Sequence, residues 1–411
     1  MSVAASDNAA PAQQARIELA DVFARYADGY FDTQGATQTQ RKVARAIVRC
    51  RTAALGGHRE WCQRCGYQRY LYHSCRNRHC PKCQSLAKAS WLENRQAELL
   101  PTPYFHNVFT LPHELNPLLL ASERNRRALL DLLFRTVADT LLTFGHNNLG
   151  GKVGFTMVLH TWNQQLRDHF HVHCVIAGGA IAEDGSKWLP AGKTFLFSVR
   201  ALSKVFRAKY IEKLLQLLDK NDLDLPPRLS KLTTSDGRHR WMRLLRRKAW
   251  VVYSKAPFAG PRKLLDYLGR YTHRVAISNH RLLSSDDGQV RFTYRDRLNG
   301  DRRKIASLPA EEFIRRFLLH VLPPGFMRIR HYGFLANRAK KTCLAQCREQ
   351  LGVPAPEPGE AKTVADWIRD LTGIDITRCP HCGASLEREE LPPLRLPVHS
   401  IPPSVDYWDT S

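Results

Sequence analysis

Two histidines spaced two residues apart, His171 and His173 in the segment HFHVHCVIAGG, are the first residues whose types and spacing suggest chemistry. On a β-strand, side chains at i and i+2 leave the same face, so two imidazoles can grip one ion. If Leu166 to His169 forms a four-residue hairpin loop, Gln164 falls opposite His171 and Trp162 opposite His173. Gln164 could then offer its carbonyl oxygen to the same ion, with His160 in reserve on the same face. Two imidazoles and one oxygen leave positions open for water and phosphate oxygens. Such a set suits Mg²⁺ or Mn²⁺ acting as a Lewis acid on a phosphodiester.

A second constellation lies in LLDYLGRYTHR, where Tyr267 and Tyr271 are spaced i and i+4. On a helix that continues through Gly269 both phenols share one face, one turn apart. A glycine inside a helix costs about 1 kcal/mol against alanine, so Gly269 suggests close packing or backbone approach. The plain alternative is a pair of half-buried tyrosines packing beside Leu264 and Leu268. As chemistry, a phenol is a competent nucleophile for phosphoryl transfer, because its phosphodiester retains the energy of the broken DNA bond. Two tyrosines permit two successive covalent links, and Arg270, His273 and Arg274 add positive charge beside them.

Cysteines form the third constellation. Cys62-x2-Cys65 and Cys80-x2-Cys83 read as two zinc knuckles, each thiolate pair supplying half a tetrahedron, so that these four are expected to hold one structural Zn²⁺. Cys75, His58 and His79 could replace one of the four, belong to a second site, or support the first from outside. Arg59, Arg64, Arg69, Arg76, Arg78 and Lys82 would decorate the module with charge suited to DNA. Near the C-terminus, Cys379-x2-Cys382 resembles one more knuckle, whose partners would have to be Cys343 and Cys347; simple free thiols are the alternative.

The elements that must position these residues can be read from apolar periodicity. Residues 1–40 read as a lead-in with a short helix, and residues 41–100 hold the cysteine cluster and a following helix, closed by Pro101 and Pro103. Then come a strand at Tyr104 to Leu111, a helix at Pro117 to Phe144 capped by Asn116, and strands at Val153 to Trp162 and Phe170 to Ala177. A helix over Val199 to Leu218, a polar linker from Asp219 to Gly237 and a strand at Ala249 to Tyr253 follow. The order β-α-β-β-α-β predicts an α+β fold with a ferredoxin-like antiparallel sheet, its third strand internal and carrying His171 and His173. Beyond it lie the tyrosine helix opened by Pro261, a hairpin of Val275 to Leu283 and Gln289 to Tyr294, and a helix at Ala310 to Leu322. A basic stretch (MRIRHYGFLANRAKK) and a proline-rich end complete the chain. The expected domains are 1–100 (lead-in and zinc module), 101–335 (catalytic) and 336–411 (basic helix, possible knuckle and tail).

Composition points the same way. The 411 residues carry 62 Lys and Arg against 38 Asp and Glu, a formal charge of +24, which favours a polyanionic partner such as nucleic acid. No apolar run is long enough to span a membrane and no signal peptide is evident, so no membrane partner and a reducing cytoplasm are expected. Eleven cysteines there are better metal ligands than disulfide partners.

Taken in order, CRNRHCPKC, HTWNQQLRDHFHVHC, YLGRYTHR and RIRHYGFLANR resemble the two-tyrosine rolling-circle transposases of the insertion-sequence 91 family, over most of residues 40–340. The resemblance implies an HUH-endonuclease fold behind a small zinc-binding domain, with His171 and His173 binding the catalytic metal and Tyr267 and Tyr271 as nucleophiles. It implies rolling-circle transposition: metal-dependent cleavage and joining of single-stranded DNA at element ends and in target DNA, through 5′-phosphotyrosine links, in a bacterial cytoplasm on the nucleoid. The host replication machinery is a candidate partner. Family members often read H-P-H-x-H where this chain has His169-Phe170-His171, a change that removes no proposed ligand. A plasmid replication initiator or relaxase would share the chemistry. A non-catalytic zinc-dependent DNA-binding regulator would need the histidine and tyrosine pairs only as structure.

Overall fold

The computed structural model describes residues 17–192, 196–255, 257–258, 263–264, 267, 269, 276–296, 299–357 and 362–394. Its centre is a ferredoxin-like unit. Strand β3 (Tyr104–Thr110) leads through helices α4 (Asn116–Leu119) and α5 (Glu123–Leu149) to strands β4 (Gly151–Trp162) and β5 (Asp168–Ala182), the short β6 (Trp188–Pro190), helix α6 (Val199–Asp219), helix α7 (Ser235–Arg247) and strand β7 (Val252–Lys255). The sheet runs β11-β4-β5-β3-β7, every neighbour antiparallel, with β11 (Ile329–Gly333) on the outer edge and β6 paired to β5. β5 is therefore internal, as the element order predicts.

Strand parity divides this sheet into an apolar face and a functional face. Phe105 and Phe109 of β3, Phe155, Met157 and Leu159 of β4, and Phe170, Val172, Cys174 and Ile176 of β5 all enter one core with Leu129, Leu133, Val137 and Leu141 of α5 and Phe206, Tyr210 and Leu214 of α6. Each large apolar side chain removed from water here stabilises the fold by roughly 1.5–3 kcal/mol before entropy is counted. The alternate positions, His106, His160, His171 and His173, point to the other face and are buried polar groups that must find partners.

Two smaller sheets flank the centre. β8 (Leu282–Asp286), β9 (Gln289–Asp296) and β10 (Arg302–Pro309) form one, in the order β10-β9-β8. It packs with α1 (Leu19–Gln34), α2 (Gln38–Arg49) and α8 (Ala310–Leu318) around Phe23, Ile47, Phe292, Phe313 and Phe317. The other joins β1 (Gly57–Trp61), β2 (Gln68–Tyr72) and β12 (Glu387–Leu391), after which α3 (Gln84–Gln96), α9 (Lys340–Gln350) and α10 (Val364–Thr372) complete the regular elements used below. Among the described residues, no helix is long and apolar enough to cross a membrane.

Several elements depart from the sequence expectation for local reasons. The helix expected from Pro117 to Phe144 breaks, because the Ser122 hydroxyl accepts from the Asn125 N–H and starts α5 afresh, while the Asn116 amide is engaged by His113 and Asp168. α7, capped by Thr234, starts at the end of the expected linker and runs on to Arg247, unforeseen because only Gly237, Met242 and Leu245 are buried in a run of arginines that hides the periodicity. The following strand starts at Val252 rather than Ala249, with Trp250 tucked inward and its indole donating to the Leu245 carbonyl. α8 stops at Leu318, short of Leu322, in tight turns. The basic stretch after Pro324 is not featureless: it supplies β11.

Candidate active site and metal centres

On β5, His171 and His173 project from one face as expected, and the partner across β4 decides the third member. Pairing places His160 opposite His171 and Val158 opposite His173, with Trp162 opposite Asp168 and a bulge between. Gln164 is thus not opposite His171. The physical cause is the turn: the Asn163 side chain accepts from the N–H groups of Gln165 and Arg167, Leu166 adopts φ 59°, and β5 resumes at Asp168. The turn is held by Arg281 and Arg316, which donate to the main-chain carbonyls of Gln164 and Gln165.

The result is a cluster of His160, His171 and His173, all buried, with one ring nitrogen of each within 4.8 Å of the others. The Nε2 atoms of His171 and His173 lie 3.1 Å apart. His171 Nδ1 sits 2.8 Å from the His169 carbonyl, which requires a hydrogen on Nδ1 and leaves the Nε2 lone pair for a cation. Three imidazole nitrogens fit a divalent transition ion better than Mg²⁺, whose preference is for oxygen.

Tyr267 approaches this cluster from helical backbone. Its hydroxyl is 2.8 Å from His173 Nδ1 and 2.5 Å from Nε2 of His106, a residue of β3 that sequence spacing does not single out. Rings of His106 and His173 stack, with centroids 5.2 Å apart. Burial, and then the charge of Lys255, lowers the His106 pKa to about 3, so this imidazole is neutral and can accept the phenol hydrogen through Nε2. Its hydrogen then sits on Nδ1, a buried atom with no hydrogen-bond partner among the described residues. The signal for His106 is topological: β3 pairs beside β5, and His106 lies on the histidine face. Gly269 meets the expected close approach, since a Cβ there would lie 2.9 Å from Leu92 and 3.1 Å from Lys88 of α3. Tyr271, Arg270, His273, Arg274 and Pro261 lie outside the described residues.

The cysteines sort differently from the expectation. Cys80 and Cys83 join Cys50 and Cys75, whereas Cys62 and Cys65 join Cys379 and Cys382, in two groups whose sulfurs each lie within 4.8 Å of one another. Spacing cannot foresee this, because a C-x2-C knuckle supplies only half a tetrahedron and the fold chooses the other half. Cys50 at the end of α2 and Cys75 after β2 are carried to the knuckle that opens α3, with Cys50 and Cys83 sulfurs 3.3 Å apart. There the thiols of Cys50, Cys75 and Cys80 hold Cys83 far below the usual thiol range, while Cys80 is pushed far above it. Four sulfurs that cannot all ionise together are relieved by a divalent cation.

Neither extra histidine belongs to these groups. His58 is held by Glu60 and Arg388, and His79 accepts the Leu322 N–H in the core. Cys343 and Cys347 ride on α9, Cys347 fully buried among apolar side chains, and neither partners Cys379 or Cys382.

Comparison with known proteins adds the family context. A family described as "Putative transposase" matches residues 154–343, and one described as "Transposase zinc-binding domain" matches residues 22–111. The chain is 48% identical over 371 residues to the "Putative transposase y4qJ" of Sinorhizobium fredii, covering 89% of this chain and 92% of that protein. It is 30% identical over 356 residues to the transposase for insertion sequence element IS801 of Pseudomonas savastanoi pv. phaseolicola, covering 86% of this chain and 84% of that one. No solved structure matches the chain significantly.

Proposed function

Because the chain belongs to the insertion-sequence 91 family of transposases, we propose that it moves DNA by a rolling-circle route, cutting and rejoining one strand through 5′-phosphotyrosine links. One observation carries this reading: the Tyr267 hydroxyl is one imidazole away from a three-histidine cluster, 2.8 Å from the far nitrogen of His173.

His160, His171 and His173 would hold a divalent ion, Mn²⁺ before Mg²⁺, which when bound polarises the scissile phosphate. Since His173 Nε2 lies on the side of the cluster, 3.1 Å from His171 Nε2, its hydrogen would sit on Nδ1 and be donated to the Tyr267 oxygen, fixing that oxygen beside the cluster. The Tyr267 hydroxyl donates in turn to His106 Nε2, 2.5 Å away, which aligns the phenol for attack on phosphorus, its proton being released to solvent as the new P–O bond forms. The bond from phosphorus to O3′ of the preceding deoxyribose breaks, and that oxygen takes a proton from solvent, leaving a free 3′-hydroxyl and a 5′-phosphate on tyrosine. Tyr271 would provide the second link for strand transfer.

Cys50, Cys75, Cys80 and Cys83 would hold the structural Zn²⁺ of the N-terminal domain. The partners are single-stranded element ends, target DNA and the host replication machinery, in the cytoplasm and on the nucleoid. The test is incubation of purified protein with Mn²⁺ and single-stranded oligonucleotides tiling the DNA that flanks its reading frame. A denaturant-stable protein–DNA adduct is expected, and its absence with every oligonucleotide overturns the proposal. So does its persistence in the Tyr267→Phe, Tyr271→Phe double variant.

A further inference from the structure

Cys379 and Cys382 lie beyond both matched family segments, which cover 22–111 and 154–343. We propose that they complete a second zinc site with Cys62 and Cys65, separate from the Cys50 cluster, and that this zinc fastens the C-terminal segment to the N-terminal domain.

The first argument is the sulfur geometry. Cys62 and Cys382 sulfurs are 3.5 Å apart, as are those of Cys65 and Cys379, and all four lie within 4.8 Å of one another. A tetrahedral zinc with bonds of about 2.3 Å separates its sulfurs by about 3.8 Å, whereas a disulfide would need about 2.05 Å. All four cysteines are free.

The second argument is that the two halves are built alike. In CQRCG the Gly66 N–H donates to the Cys62 carbonyl at 3.0 Å and the Cys62 N–H to the Tyr67 carbonyl at 2.8 Å. In CPHCG the Gly383 N–H donates to the Cys379 carbonyl at 2.9 Å and the Cys379 N–H to the Ala384 carbonyl at 2.8 Å. Gly66 and Gly383 adopt φ 73° and 72°, the left-handed turn that lets the second cysteine fold back beside the first. Two matching knuckles, from chain positions 314 and 320 residues apart, thus present their thiols to one point.

The third argument is that the surrounding chain is built to bring them together. β12 runs antiparallel to β1 from Gly57↔Leu391 to Trp61↔Glu387. Tyr67 and His381, one beside each knuckle, bring their rings to 4.7 Å, and Arg388 reaches His58 at 2.7 Å. A five-residue edge pairing of mostly exposed residues is weak by itself, so a tetrathiolate site at its end supplies most of the hold. The segment it retains includes α10, which packs on α3, and Lys362 before it reaches Glu93 of α3 at 2.8 Å. Leu92 of α3 is the residue that meets Gly269 of the tyrosine helix, so the second zinc braces the nucleophile from behind.

The experiment is metal counting on the full-length protein. About two zinc ions per chain are expected in the wild type and about one in the Cys379→Ser, Cys382→Ser variant. Adding Cys62→Ser and Cys65→Ser to that variant should remove no further zinc. A wild type with one zinc, a double variant that keeps both, or a quadruple variant that loses the last ion overturns the proposal. Should the variants fail to fold, alkylation of the wild type decides, with modified cysteines mapped by mass spectrometry. All four thiols should resist N-ethylmaleimide until a chelator exposes them together. Ready alkylation of Cys379 and Cys382 in the zinc-loaded protein sinks the idea.

Discussion

The hydroxyl of Tyr267 lies 2.8 Å from Nδ1 of His173, and the opposite nitrogen of that ring faces His171 at 3.1 Å. One imidazole therefore connects the phenol to the cluster that would hold the cation, and His106 closes the arrangement from β3. If this geometry positions a nucleophile, removing His106 should slow adduct formation without dismantling the metal site. The His106→Ala variant is expected to lose about 10–100-fold in single-turnover adduct formation, the range typical of partners that orient ligands and reacting groups. Mn²⁺ binding should weaken far less. Wild-type rates in that variant would mean that His106 only fills space.

The choice of third ligand gives a second test. His160 faces His171 across the β4–β5 pair, while Gln164 sits in the turn beyond β4, its main-chain carbonyl accepting from Arg281. His160→Ala should lower Mn²⁺ affinity by more than about tenfold, whereas Gln164→Ala should leave it nearly unchanged. Titration followed by the electron paramagnetic resonance of free Mn²⁺ reads both. The reverse pattern would restore Gln164 and remove His160.

These cases mark what a sequence can and cannot reveal. The same-face relation of His171 and His173 is legible, because period-2 alternation follows from covalent geometry once a strand is assigned. The register is not, because it depends on an Asn163 side-chain turn and a bulge, each a local hydrogen-bond choice that moves the partner four residues, from Gln164 to His160. His106 is 67 residues from His173 in sequence and becomes its neighbour only through strand pairing. The knuckles are legible as half-sites. Which half meets which is a property of the fold, so Cys62 and Cys65 find Cys379 and Cys382 while Cys50 enters the other cluster unannounced by any spacing.

Buried histidines also set a pH dependence. Burial lowers His79, with help from Arg78, to about 3, and lowers His320 to about 4 and His331, beside Arg95, to about 4. An unfolded histidine titrates near 6.5. Since the folded values lie below it, the unfolded chain binds more protons between them, so stability is fully present above about pH 6.5 and is lost as pH falls toward 4 and 3. His320 is a clean probe, fully buried between Thr161 and the Leu166 carbonyl. His320→Gln should flatten the fall of unfolding free energy between pH 6 and 5 by on the order of 1 kcal/mol per pH unit. Denaturant melts at saturating zinc measure it, and an unchanged slope would show that His320 charges freely in the fold.

The last prediction concerns the exposed sheet of β9 and β10. Arg295 stands directly opposite Arg303, and Arg291, Arg302 and Lys304 are exposed around them. Like charges facing each other across a ladder destabilise it, and Asp301 and Asp296 relieve only part of that repulsion, through Arg295 at 2.8 Å and Lys304 at 2.7 Å. A phosphate backbone would relieve the rest. The sheet is placed to meet one: Arg281, which precedes β8, binds the Gln164 carbonyl in the turn that follows the histidine strand's partner. Replacing Arg291 and Arg303 by alanine should weaken binding to any single-stranded oligonucleotide, whatever its sequence, and lower the slope of log affinity against log salt by about 0.7 for each phosphate no longer neutralised. Adduct formation at saturating oligonucleotide should remain close to wild type, because neither residue touches Tyr267 or the three histidines. An unaltered salt slope would place the DNA path on another surface.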